Sequence, residues 1–180
     1  MVINWKKMGR IYVPSGEGFF KTHATRPIPF QLDNSTLRLY FSSRSDEDMP
    51  YPTYVDVNLT CPNKVLHVNQ TPMMTLGRTG TFDDSGITPT CIIRYDGVNR
   101  MYYVGWKRRR YGVSIEALIG LGILNKNGNE LNRAFEGPII GQDINHPFMT
   151  AAPFVLFDNG LFRMWYCSGT EWRIVGDNPE

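Results

Sequence analysis

Three stretches of the chain share one alternation of apolar and polar positions. Each runs from small residues and a proline through an apolar run to a turn. It then returns through Arg, an apolar residue, two aromatics and a small residue. The copies are 25–44 (TRPIPFQLDNSTLRLYFSSR), 86–106 (GITPTCIIRYDGVNRMYYVGW) and 149–170 (MTAAPFVLFDNGLFRMWYCSGT). Alternation with period two puts successive side chains on opposite faces of a strand. The turn residues are Asp33-Asn34, Asp96-Gly97 and Asp158-Asn159-Gly160, and Asp-Gly and Asn-Gly pairs tolerate the positive φ of tight hairpins. Each copy therefore predicts a β-hairpin.

The copies fall in register at Arg38, Arg100 and Arg163, 62 and 63 residues apart. Leu39, Met101 and Met164 align next, then Tyr40, Tyr102 and Trp165. A fixed period takes precedence over other signals, because stacked repeats decide the architecture. Further strand-like runs lie at 54–59, 64–68, 117–124 and 134–140. Four short strands per unit predict a β-propeller blade, and the chain is read as one all-β domain, an open partial propeller. The boundaries are an N-terminal strand and loop over 1–21, with 9–13 as the strand, blade one over 22–80, blade two over 81–146 and an incomplete blade three over 147–180. That makes two and a half to three blades, so the sequence reads as the front portion of a longer protein. The run 111–124 (YGVSIEALIGLGIL) holds three glycines and is assigned to strand rather than helix. By their register with Tyr40, both Tyr102 and Trp165 are expected in the core.

Composition narrows the partners. A net charge of +2 over 180 residues gives no general attraction to nucleic acid. The apolar runs fall short of a membrane span. The first residues carry charges and no apolar signal-peptide core. Three widely spaced cysteines, Cys61, Cys91 and Cys167, suit reduced thiols, so a cytoplasmic location is expected. The sequons at Asn34, Asn58 and Asn69 are then chance matches.

Candidate chemistry is sought where the chain enters each blade, since the innermost strand lines a propeller's channel. The adjacent carboxylates Asp83 and Asp84 are the catalytic candidates, able to act as a base or to hold a sugar hydroxyl. The same residues also read as a turn that caps backbone N–H groups. His23, Arg26, Arg44, Trp106, Trp172 and Glu171 are the substrate-binding candidates. Aromatic faces pack on the apolar faces of sugars, and guanidinium groups clamp anions. The basic run 106–111 (WKRRRY) is read as a solvated loop. No metal site and no cofactor are expected: 125–130 lacks the glycine and distal glutamate of a calcium loop, and Gly120-x-Gly122 has no phosphate-loop continuation.

The segments GTFDDSGITPT (80–90), MYYVGW (101–106), FEGPI (135–139) and FRMWYCSGT (162–170) resemble the five-bladed β-propellers of the glycoside-hydrolase superfamily. That group includes arabinanases, invertases and mannoside phosphorylases, and the likeness is strongest to a bacterial glycosidase-like branch. The resemblance implies carboxylates on successive inner strands acting as base, modulator and acid. Asp83 or Asp84 matches the second of these positions. The first holds His23 to Arg26 with no carboxylate, and the third offers Thr150, with Glu171 nearby. The expected ligand is a carbohydrate. The readings carried forward are a glycosidase-like enzyme, a non-catalytic propeller binding a saccharide or protein, and an inactive fragment. Open blade edges and faces also predict a homo-oligomer that covers them.

Overall fold

The computed structural model describes residues 3–7, 9–175 and 178–179. Two four-stranded antiparallel sheets and a third hairpin follow one another along the chain. The first sheet is β1 (Thr22–Gln31), β2 (Thr36–Arg44), β3 (Pro50–Asn58) and β4 (Val65–Val68), hydrogen-bonded in chain order. The second repeats that meander with β5 (Gly86–Tyr95), β6 (Val98–Arg108), β7 (Ile115–Leu124) and β8 (Leu131–Arg133). The third hairpin pairs β9 (Thr150–Asp158) with β10 (Leu161–Ser168). Two-residue strands β11 (Ile174–Val175) and β12 (Asn178–Pro179) close the described chain. The fold is all-β, a partial propeller.

The hairpin turns form where the sequence places them. Asp96 and Gly97 both adopt positive φ, as do Asn159 and Gly160, which matches the right-handed twist of the flanking strands. In the first copy the Asp33 carboxylate accepts the backbone N–H groups of Ser35 and Thr36, so a side chain closes that turn.

Alternation along each middle strand sorts side chains between the two neighbouring layers. On β2, Leu39 and Phe41 join Val55 and Val57 on one face of the first blade. Tyr40 turns to the other face and meets Tyr54 at 6.0 Å between ring centroids. There both tyrosines join Ile87, Met101 and Tyr103 of the second blade in the largest core cluster. Tyr102 points the opposite way, into a cluster with Cys91, Val155 and Met164 that joins the second blade to the third. The repeat is thus a stacking device: position 39/101/164 meets the preceding layer and position 40/102 meets the following one.

Three expectations change. The segment 9–13 forms no strand. Tyr12 instead lays its ring on Phe41 at 5.6 Å and helps cover the first face of blade one. The last strand of the second sheet is Leu131–Arg133 rather than 134–140, because Leu131 is drawn into the interblade core while Ile140 makes one bridge to Ile119. Trp165 is not core: it is 55% exposed, since the third hairpin has a neighbour on its Val155 face alone among the described residues. No described helix is long and apolar enough to cross a membrane.

Candidate functional site: a cleft between the first two blades

A cavity of about 670 Å³ opens between the first and second blades. Volumes of this order are typical of small-molecule sites. Blade one contributes Thr25 and Arg26 from β1, Arg44 from the end of β2, and Asp48 and Pro50 from the turn into β3. Blade two contributes Ser85, Thr88, Trp106, Arg108 and Arg109, with Ser114 and Ile115 at the far side.

Local backbone irregularity places the first group. The ladder between β1 and β2 slips twice, between Thr22 and Thr25 and again before Ile28. His23 and Arg26 sit in these bulges with φ of 65° and 55°. Non-glycine residues pay strain for that conformation, and bulges commonly re-aim side chains beside sites. Here the bulge delivers Arg26 to the cleft, and regular pairing resumes at Ile28.

The second wall is rigid. Trp106 donates its indole N–H to Thr88 Oγ1 at 2.9 Å, which fixes the ring against β5. Arg108 reaches across to blade one, where Nη2 donates to the carbonyls of Glu47 and Asp48 at 3.0 and 3.3 Å. Arg44 donates to Asp48 Oδ1 at 2.7 Å. That bond, with added attraction from Arg108 and His23, holds the Asp48 carboxyl below its ordinary range. Asp48 is therefore a carboxylate at neutral pH and is not suited to donate a proton.

Of the residues singled out from sequence, Arg26, Arg44 and Trp106 meet in this cleft. His23 is exposed at its edge, with Nδ1 2.8 Å from Thr22 Oγ1. Asp84 lies next to Ser85 but outside the lining. Its oxygens accept the Gly80 N–H at 2.8 Å and the Ser85 hydroxyl at 2.7 Å, the capping role foreseen for this turn.

Asp83 belongs elsewhere. It is fully buried, accepts Arg133 Nε at 2.7 Å and Tyr103 OH at 3.2 Å, and has Thr81 Oγ1 at 3.1 Å from its other oxygen. Neither carboxylate lies on a strand; both occupy the turn before β5. Trp172 and Glu171 follow the third hairpin, do not line the cleft, and Glu171 pairs with Arg173. Among the described residues no group of three or more His, Cys, Asp or Glu side chains could hold a metal.

Arg108 and Arg109 are the lining residues that sequence reading assigned to a solvated loop. A signal was present, since the basic run follows Trp106 at the end of the repeated strand. What was not visible is that the blade-one turn at Glu47-Asp48 rises to meet it.

In structure the chain resembles a thermostable family-43 glycoside hydrolase, with a TM-score of 0.59 and 16% identity, covering 84% of this chain and 48% of that one. At that identity the likeness is one of fold, a five-bladed propeller matched here in part. In sequence the chain is 33% identical over 169 residues to uncharacterized proteins from two strains of Mycobacterium tuberculosis. The match covers 93% of this chain and 56% of theirs, so the chain spans little more than half the length of the curated relatives it matches. No protein-family model matches. The cleft lies beside the starts of β1 and β5, the first strand of each four-stranded sheet.

Proposed function

We propose that this chain supplies the carbohydrate-holding side of a glycosidase-like propeller, with a saccharide lying in the interblade cleft against Trp106. The observation that carries the reading is the wall itself: an indole locked by Thr88 and flanked by guanidinium and hydroxyl groups. Such a surface offers a stacking face for a sugar ring and donors for its hydroxyls. The glycoside-hydrolase likeness of the fold supports it, although a fold by itself does not carry a function.

Binding without cleavage is the favoured form. Hydrolysis by the usual route needs two carboxyl groups flanking the bond. The cleft lining holds one, Asp48, and Arg44 already occupies it. Asp84 is the carboxylate on which acid–base chemistry would draw, because it stands beside Ser85.

The test is binding to an immobilised panel of oligosaccharides, followed by calorimetry on whatever is retained. Trp106→Ala is expected to weaken binding about tenfold through loss of the stacking face. Retention of no saccharide, or equal binding by Trp106→Ala, overturns the reading. Turnover of aryl glycosides that Asp84→Asn abolishes would replace binding by catalysis.

A further inference from the structure

Four arginines line this one cleft, Arg26, Arg44, Arg108 and Arg109, against the single carboxylate of Asp48. Counted over the lining, four positive charges and one negative leave +3, whereas the whole chain carries only +2. Positive charge is thus concentrated in the cleft. Glu47 and Asp84 adjoin lining residues in the chain without lining the cleft themselves, Glu47 accepting the Ser45 hydroxyl at 2.8 Å and Asp84 the Gly80 N–H and the Ser85 hydroxyl. Arg108 gives its hydrogen bonds to backbone carbonyls and, among the described residues, has no carboxylate within ion-pair distance. Among the described residues, neither Arg26 nor Arg109 has a carboxylate within ion-pair distance. Arg26 is moreover brought here by a left-handed backbone that costs energy.

Resting on the carbohydrate reading, we propose that the saccharide held here is anionic, a sugar bearing a carboxylate or phosphate, with Arg26 and Arg109 clamping the oxyanion while Trp106 receives the ring. Planar guanidinium forks match both oxyanions in two-point geometry. A neutral sugar needs hydroxyl partners, which asparagine, aspartate and glutamine supply more cheaply than several arginines.

The experiment uses a panel carrying uronic-acid, sugar-phosphate and neutral oligosaccharides, with methyl-esterified uronates as neutral controls of the same skeleton and inorganic phosphate as the sugar-free control. The acidic glycans are expected to bind about tenfold tighter than their neutral counterparts, the effect of one charge-assisted clamp. That preference is expected to fall with added salt and to disappear in Arg26→Ala and Arg109→Ala. Asp48→Asn releases Arg44 and is expected to enlarge it. Arg78→Ala, which removes an exposed arginine outside the lining that is paired with Glu136, is expected to leave it unchanged. The uronate and phosphate arms show which oxyanion is preferred.

Equal binding of acids and esters overturns the anionic class while leaving the carbohydrate reading intact. Retention of no glycan at all overturns the carbohydrate reading itself. Inorganic phosphate binding as tightly as a sugar phosphate, or a single-stranded oligonucleotide displacing every glycan, rejects a saccharide clamp.

Discussion

Arg133 donates Nε to Asp83 Oδ2 at 2.7 Å, joining the last strand of the second blade to the turn that opens it. Tyr103 donates its hydroxyl to the same oxygen, so a fully buried carboxylate is held from two sides. Removing the charge leaves Arg133 without its counter-ion, and breaking such a pair costs about 3 kcal/mol. Asp83→Asn is therefore expected to lower the urea midpoint strongly while leaving ligand binding in the cleft unchanged in the folded fraction. A stable Asp83→Asn that has lost activity would reverse this and restore a chemical role.

Packing beside that ion pair leaves no room for a methyl group. A Cβ on Gly105 would stand 2.5 Å from two ring carbons of Phe82 and 2.7 Å from Cβ of Asp83. Phe82 cannot swing away, because it stacks on Tyr103 within the main core cluster. Gly105→Ala is expected to cost about 1–3 kcal/mol in chemical unfolding, the usual penalty for overpacking. A neutral result would mean that the turn 81–85 is freer than its contacts imply.

What the sequence disclosed follows from the range of the interactions involved. The hairpins were legible because Asp96-Gly97 and Asn159-Gly160 fix their turns locally. The sorting of Tyr40 and Tyr102 into cores was legible because alternation is a local pattern. Partners distant in sequence were not. The partner of Asp83 is Arg133, fifty residues on, and no local pattern announces it. Arg108 and Arg109 are exposed, as a solvated run predicts, but no local pattern shows that the Glu47-Asp48 turn of another blade comes within reach of Arg108. Trp165 was placed inside by analogy with Tyr102, but its burial depends on a neighbour beyond its own hairpin.

Two buried tyrosines set the alkaline limit of stability. Burial pushes the Tyr40 hydroxyl from 10.0 up to about 12. Burial pushes Tyr103 up as well, with the Asp83 charge adding to it. For a group whose folded value is raised, the stabilising contribution is whole below the unfolded value and is lost as pH climbs through the folded one. The melting temperature is thus expected to hold level up to about pH 10 and to fall between 10 and 12, with Tyr40 contributing on the order of 2 kcal/mol. Tyr40→Phe is expected to flatten that fall and, by deleting the hydrogen bond to the Gly128 carbonyl, to cost about 1 kcal/mol at neutral pH. A melting temperature that falls equally in wild type and Tyr40→Phe would point to other groups.

The third hairpin presents an uncovered apolar face. Tyr40, Tyr102 and Trp165 stand at one repeat position, with exposures of 0%, 7% and 55%. Tyr40 is covered by blade two and Tyr102 by the third hairpin, whereas the same surface of that hairpin is bare among the described residues. Phe154 pairs with Trp165 across the strands and is 57% exposed, and Leu156 beside it is 48% exposed. A contiguous apolar patch built to receive a blade is a site of association in water. The 20.6 kDa chain by itself is expected to scatter light as more than one copy at micromolar concentration, with Trp165→Glu or Phe154→Glu returning it to a single-chain mass. Those substitutions touch neither Val155 nor Met164, so the join to blade two and the melting temperature are expected to survive them. Wild-type protein that scatters as one chain would show that this face stays uncovered by further copies.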